Sequence, residues 1–201
     1  MLIREKYSIM VSYLAPVRNR VFLDTNIVWN WHTYGEEISD NLDFNAQEVT
    51  AKIGKKGLKD LEGFRGINEI ASRYGSIDFV TSLNTIEELN RRTHNQKGIE
   101  RLDWGKELLT WWIEQVTINY PDEDFSDSSK RAQTWLDYGV FDFLPDSGDR
   151  LLIASAMAAH CGIFLTMDYK TILPHWHRIG ELTRMRVLRP AEFWDYVSRH
   201  I

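Results

Sequence analysis

The stretch that decides the fold is "RVFLDTNIVWNW", Arg20 to Trp31. Val21, Phe22 and Leu23 run without polar alternation, the pattern of a short strand buried on both faces, as in a parallel sheet covered by helices. The run stops at Asp24, Thr25 and Asn26, and apolar residues return in "NIVWNWHTY", which opens a helix. Two readings of Asp24 compete. Asp, Thr and Asn are all good helix N-caps; a carboxylate at the carboxyl end of a parallel strand also stands where α/β proteins bind their ligands.

The same pattern returns along the chain. "SIDFVTS" reads as a second strand, followed by the helix "NTIEELNRRTH" with Asn84 or Thr85 to cap it. Pro145 and Gly148 then break the chain, Asp149 opens an Ala-rich helix, and Gly162 stops it before a third strand, "IFLTMD". "MRVLRP" is a fourth strand, and "PAEFWDYVSRH" a closing helix with Pro190 in its first turn. Short apolar strands separated by helices predict one α/β domain over residues 1–201, with a central parallel sheet.

Other stretches are less regular. Glu36 to Lys59 is polar and holds Gly54 and Gly57, so an insertion at about 36–61, helical in pieces or mobile, is expected between the first helix and the second strand. "LEGFRGINEIASRYG" restores helical spacing through Leu61, Phe64, Ile67 and Ile70. In "DWGKELLTWWIEQVTI", Trp104, Leu108, Trp111, Trp112 and Gln115 give an aromatic face for a core or a partner, and the acidic, Ser-rich "YPDEDFSDSSKRAQ" reads as a loop.

Composition narrows the function. The chain has 201 residues, 43% of them hydrophobic, enough for a sizeable core. A net charge of −5 excludes a molecule that gathers nucleic acid or anionic membrane by its overall field, so a polyanion must be held by local basic groups or metal ions. The single cysteine, Cys161, rules out an intrachain disulfide framework and a zinc site of paired cysteines, and reads as a small buried hydrophobe. A reducing cytoplasm is the expected compartment. The first residues carry no signal-peptide cleavage pattern, and no apolar run nears the roughly 20 residues of a membrane span.

The acids carry the chemistry. "VFLDTN" and "FLTMD" each end a strand on an Asp, Asp24 and Asp168. Glu88 and Asp149 arrive on helices that start near the same sheet edge, because a helix in a βαβ unit runs antiparallel to its strands. Four carboxylates around one pocket repel unless a cation lies between them. Hard oxygen donors without a Cys or His cluster suit Mg²⁺ or Mn²⁺ and disfavour zinc. Such an ion activates water and neutralises a phosphodiester, so the chemistry is metal-assisted phosphodiester hydrolysis. Arg91, Arg92 and His94 are the nearest candidates for phosphate contacts, a solvated helix face being the competing reading. Asp146 is a spare acid assigned to the loop, Arg150 a surface or ion-pair residue, and His175 and His177 lack a third ligand.

In their order, "FLDTN", "TSLNTIEEL", "DSGDRLLIASAMAAHCGIFLTMD" and "RVLRPAEFW" resemble the successive signature blocks of PIN-domain ribonucleases, the group that includes the VapC toxins of bacterial toxin–antitoxin pairs. The resemblance runs from Val21 to about Trp194. It implies a three-layer, Rossmann-like α/β/α sandwich and a Mg²⁺- or Mn²⁺-dependent endoribonuclease acting on RNA. Asp24, Glu88, Asp149 and Asp168 would be its catalytic and metal-holding acids, with Thr25, Asn26 and Thr166 in support; Ser82 and Thr85 complete the frame that favours Glu88 over Glu87. It further implies a homodimer and, for a toxin of a type II pair, an antitoxin partner. The 36–61 stretch is longer than in compact toxins of that family. Two other functions are open: a non-catalytic RNA- or protein-binding module on the same fold, and another metal-dependent nuclease or phosphoesterase. Asn26 stands where a phosphatase of the haloacid-dehalogenase type has its second Asp.

Overall fold

The computed structural model describes residues 17–74, 77–91, 95–119 and 128–199. In chain order these form β1 (Val17–Leu23), α1 (Thr25–Thr33), α2 (Gly35–Ser39), α3 (Ala46–Tyr74), β2 (Asp78–Val80), α4 (Leu83–Arg91) and α5 (Gln96–Asn119). Then follow α6 (Ser128–Asp137), α7 (Ser147–Ala158), β3 (Cys161–Leu165), a 3₁₀ turn (Leu173–His175), α8 (Trp176–Thr183), β4 (Arg186–Leu188) and α9 (Pro190–Val197).

The four strands are parallel, in the order β2-β1-β3-β4. Their side chains alternate between two cores. Phe22, Val80, Phe164 and Val187 join residues of α6, α7 and α8, and Phe22 stacks on Phe164 with ring centroids 5.4 Å apart. Val21, Leu23, Phe79, Ile163 and Leu165 join α1, α2, α3 and Phe193 of α9. The unalternating apolar runs follow from this: both sheet faces are dry, and burying each such side chain contributes roughly 1.5–3 kcal/mol. The α/β class and the parallel sheet are as expected, in an arrangement compatible with an α/β/α sandwich.

Topology opens the site. From β1 the chain crosses to β2 on one side, whereas from β3 it crosses to β4 on the other. The connections leaving these adjacent strands diverge, so a crevice opens at the carboxyl ends of β1 and β3.

Several local expectations change. The polar 36–61 stretch is helical for most of its length, as α2 and the first part of α3, which kinks at Gly54 (φ 77°, ψ 170°). Only glycine holds that backbone conformation without strain. The second half of the stretch read as a loop is helical: α6 buries Ala132 and Trp135 on one face. The aromatic face of α5 is divided, with Leu108, Leu109 and Trp112 buried and Trp111 47% exposed. Ser82, rather than Asn84 or Thr85, caps α4: its hydroxyl accepts from the Thr85 N–H at 3.3 Å. Asp146, rather than Asp149, caps α7, accepting from Gly148 N (2.6 Å) and Asp149 N (3.3 Å).

Cys161 is 1% exposed at the start of β3, and burial pushes its thiol pKa up. Among the described residues no helix is long and apolar enough to cross a membrane.

Candidate metal centre

The β1–α1 junction sets the first acid. Asp24 has the extended backbone of an N-cap (φ −61°, ψ 154°), and its carbonyl accepts from Ile27 N and Val28 N, yet its side chain caps nothing. Instead Oδ2 accepts from Thr166 Oγ1 and from Asn26 Nδ2, each at 2.5 Å. Asn26 Oδ1 in turn accepts from Met167 N at 2.9 Å, so the end of β1 is latched to the end of β3. Thr25 turns its hydroxyl to Glu88 Oε2 on α4, at 2.6 Å. All three supporting residues named from the sequence thus have a defined partner.

Asp168 is held by its own loop. Oδ1 accepts from Lys170 N (2.8 Å) and Thr171 N (2.7 Å), and Oδ2 from Thr171 Oγ1 (2.6 Å). Asp149 projects from the first turn of α7, and its Oδ2 is buried without a hydrogen-bond partner among the described residues. All four acids, with Thr25, Asn26 and Lys170, line one cleft of about 290 Å³ at the carboxyl edge of the sheet.

Their protonation differs. Burial, with the nearby charges of Glu88 and Asp149, raises the Asp24 pKa to about 7 against the hydrogen bond from Thr166. Asp149 rises to about 6, through burial and then the charges of Asp146, Asp168 and Glu88, opposed by Thr171. Burial also works against ionised Asp168, but the hydrogen bonds from Thr171 and from the Lys170 and Ile172 N–H groups outweigh it and hold its pKa below the ordinary carboxylate value. One carboxylate held in its charged form therefore sits beside two carboxyls whose ionisation is opposed by burial and by the neighbouring acids, an opposition that a bound cation would relieve.

That donor set fits a hard divalent ion in kind: carboxylate oxygens only, one of them buried and unsatisfied. It is not closed around one, because among the described residues no group of three or more His, Cys, Asp or Glu side chains is set to hold a metal ion.

The other candidates are dispersed. Arg91 lines a second cleft, of about 220 Å³, with Asn84, Asp146 and Gly148; Glu88 borders both clefts, so the two adjoin. Arg92 and His94 lie outside the described residues. Arg150 pairs with Asp142 at 3.0 Å, and the His175 ring packs on Phe143 with centroids 5.5 Å apart.

Sequence reading missed a buried group at the rim. Asp60 of α3, 0% exposed, accepts from the Tyr169 hydroxyl, from Arg189 Nε (3.2 Å) and Nη2 (3.0 Å), and from Ala191 N (3.2 Å). It ties the residue after Asp168 to two helices. Nothing local marks it, since its partners lie more than 100 residues away in a segment already rich in charge. Compared with known proteins, the chain matches no family model, no curated protein and no solved structure.

Proposed function

We propose that the protein is a Mg²⁺- or Mn²⁺-dependent endoribonuclease on a PIN-like α/β/α sandwich. The observation that carries this reading is the meeting of Asp24, Glu88, Asp149 and Asp168, from four separate elements, in one cleft at the switch point of the sheet. Asp24, Asp149 and Asp168 would hold the ion, and Glu88 would share it or position the attacking water. Once bound, the ion supplies positive charge for the phosphodiester and acidifies water.

The chain's own residues do the positioning. Thr166 and Asn26 fix the Asp24 carboxylate, and Thr25 aims Glu88. Arg91 on one side of the acids and Lys170 on the other supply the local positive charge that a protein of net charge −5 needs to hold a phosphate chain. The test is cleavage of single-stranded RNA with Mn²⁺. Asp24→Asn should lower the rate at least about 100-fold, the scale of losing one preorganised charge-handling group. Equal rates for the two proteins would sink the proposal. If the protein acts as a toxin, its expression arrests bacterial growth and that of Asp24→Asn does not; its homodimer is then read by light scattering.

A second reading is a non-catalytic RNA- or protein-binding module. What favours it is that among the described residues no three acids are already set to hold an ion. RNA binding that persists with neither Mn²⁺-dependent stabilisation nor cleavage would select it.

A further inference from the structure

Beside the acids lies a structured cationic corner, of which the proposed chemistry uses only Lys170. Tyr169 follows Asp168 and is half-buried, with its hydroxyl committed to the fully buried Asp60. Arg189, bound to Asp60 through Nε and Nη2, stands with its guanidinium carbon 5.5 Å from the Tyr169 ring centroid. The ring is thereby fixed from α3 and from the start of α9. Lys56, one turn before Asp60 on α3, places Nζ 5.8 Å from the centroid of the same ring. Lys170, the next residue along, lines the cleft.

The charges here are unequal in their freedom. Arg189 is neutralised by Asp60 at 3.0 Å. Neither Lys56 nor Lys170 makes an ion pair among the described residues, although Lys170 lies in the cleft with four acids; Asp168 takes its backbone N–H instead. An ammonium group at an anchored aromatic ring, with a second, from Lys170, lining the cleft beside it, has the chemistry that follows a nucleic-acid strand: charge for the phosphate and a π-face beside it. The strand has a route, since the clefts adjoining at Glu88 lead from Arg91 across the acids to Lys170.

We propose that Lys56, at the Tyr169–Asp60 anchor, and Lys170, lining the cleft next to it, form a subsite for a phosphate of single-stranded RNA next to the one being cleaved. The proposal rests on the ribonuclease reading. It gives the polar stretch between α1 and β2 a task, because that stretch contributes both Lys56 and Asp60.

The experiment measures binding of a short fluorescein-labelled single-stranded RNA by anisotropy, with Mn²⁺, over a series of salt concentrations. The parent is Asp24→Asn, which keeps the RNA intact. Adding Lys56→Ala or Lys170→Ala should each weaken binding about three- to tenfold and lower the slope of log K against log salt by about 0.7, the value for one phosphate contact on a single strand. Lys55→Ala, one residue away and making no contact with the ring, should change neither. Tyr169→Phe keeps the ring but frees it from Asp60, and should give part of the lysine effect, about twofold. An unchanged slope in the double lysine variant, an equal loss in Lys55→Ala, or equal affinity for a duplex of the same sequence overturns the subsite while leaving the nuclease intact. A parent that binds no RNA at all overturns both.

Discussion

Asp24→Asn replaces a buried carboxyl by an amide of the same shape, and its two consequences have opposite signs. The amide oxygen can still accept from Thr166 and Asn26, while the charge that burial and Glu88 oppose is gone. The ion-free variant should therefore melt higher than the wild type at neutral pH, by about 2–4 °C for each kcal/mol recovered in a chain of this size, even as cleavage is lost. Calorimetry of both proteins in a chelator checks it. The pH dependence follows from the same group. Its pKa is near 3.8 when unfolded and about 7 when folded, so between these values the native state binds the extra proton. Stability of the ion-free protein should fall as pH rises from about 4 to 7, by at most about 1.4 kcal/mol per unit from this group. Asp149 adds a fall of the same sign between about 4 and 6. Asp168, with its lowered pKa, acts oppositely: its contribution is lost only as pH drops below the usual carboxylate range. Added Mn²⁺ should flatten the decline, and urea melts across pH with and without the ion measure it. The two readings of Asp24 concern separable parts of the residue: the backbone has the dihedrals of a cap while the side chain accepts from Thr166 and Asn26.

Elements explain what the sequence made legible. The strands leading to Asp24 and Asp168 stood out because three consecutive side chains, buried on alternating faces, leave no polar gap; Asp24 follows β1 directly, whereas β3 stops at Leu165 and Asp168 lies in the loop beyond it. The part of α3 after its kink was harder to see. Its buried positions include Gly57, Asp60, Gly63, Gly66 and Asn68 among Leu61, Phe64 and Ile67, so counting apolar residues dilutes a stripe that is spatially continuous. The glycines are there for contact. A Cβ on Gly63 would lie 2.7 Å from the Ala191 Cα, and one on Gly66 2.6 Å from the Trp194 ring, where α3 crosses α9. Gly63→Ala should force these helices apart and cost about 1–3 kcal/mol, read as a lower urea midpoint. Since Asp60 sits one turn earlier and holds Arg189 and Ala191, that variant should also weaken Mn²⁺ binding in isothermal titration. In α6, the buried residues Ala132 and Trp135 are separated by polar neighbours that mask the helical spacing.

For the molecule as a whole, order of assembly follows from the sheet. β1 lies between β2 and β3, and the chain from residue 24 to residue 160 intervenes before its second partner is made. The acid cleft cannot exist until β1 and β3 are paired, because Asp24 N donates to Leu165 O and Thr166 reaches back to Asp24. Long-range parallel pairing is intrinsically slow, so metal-dependent stabilisation should develop in the last refolding phase. The molecule carries its own clock for this. Cys161, the sole thiol, sits on the central strand β3 with 1% of its surface accessible and its ionisation suppressed. A maleimide or disulfide reagent should find it only when the sheet comes apart, so pulse labelling counts whole-sheet openings, with no probe to engineer and no background from a second thiol.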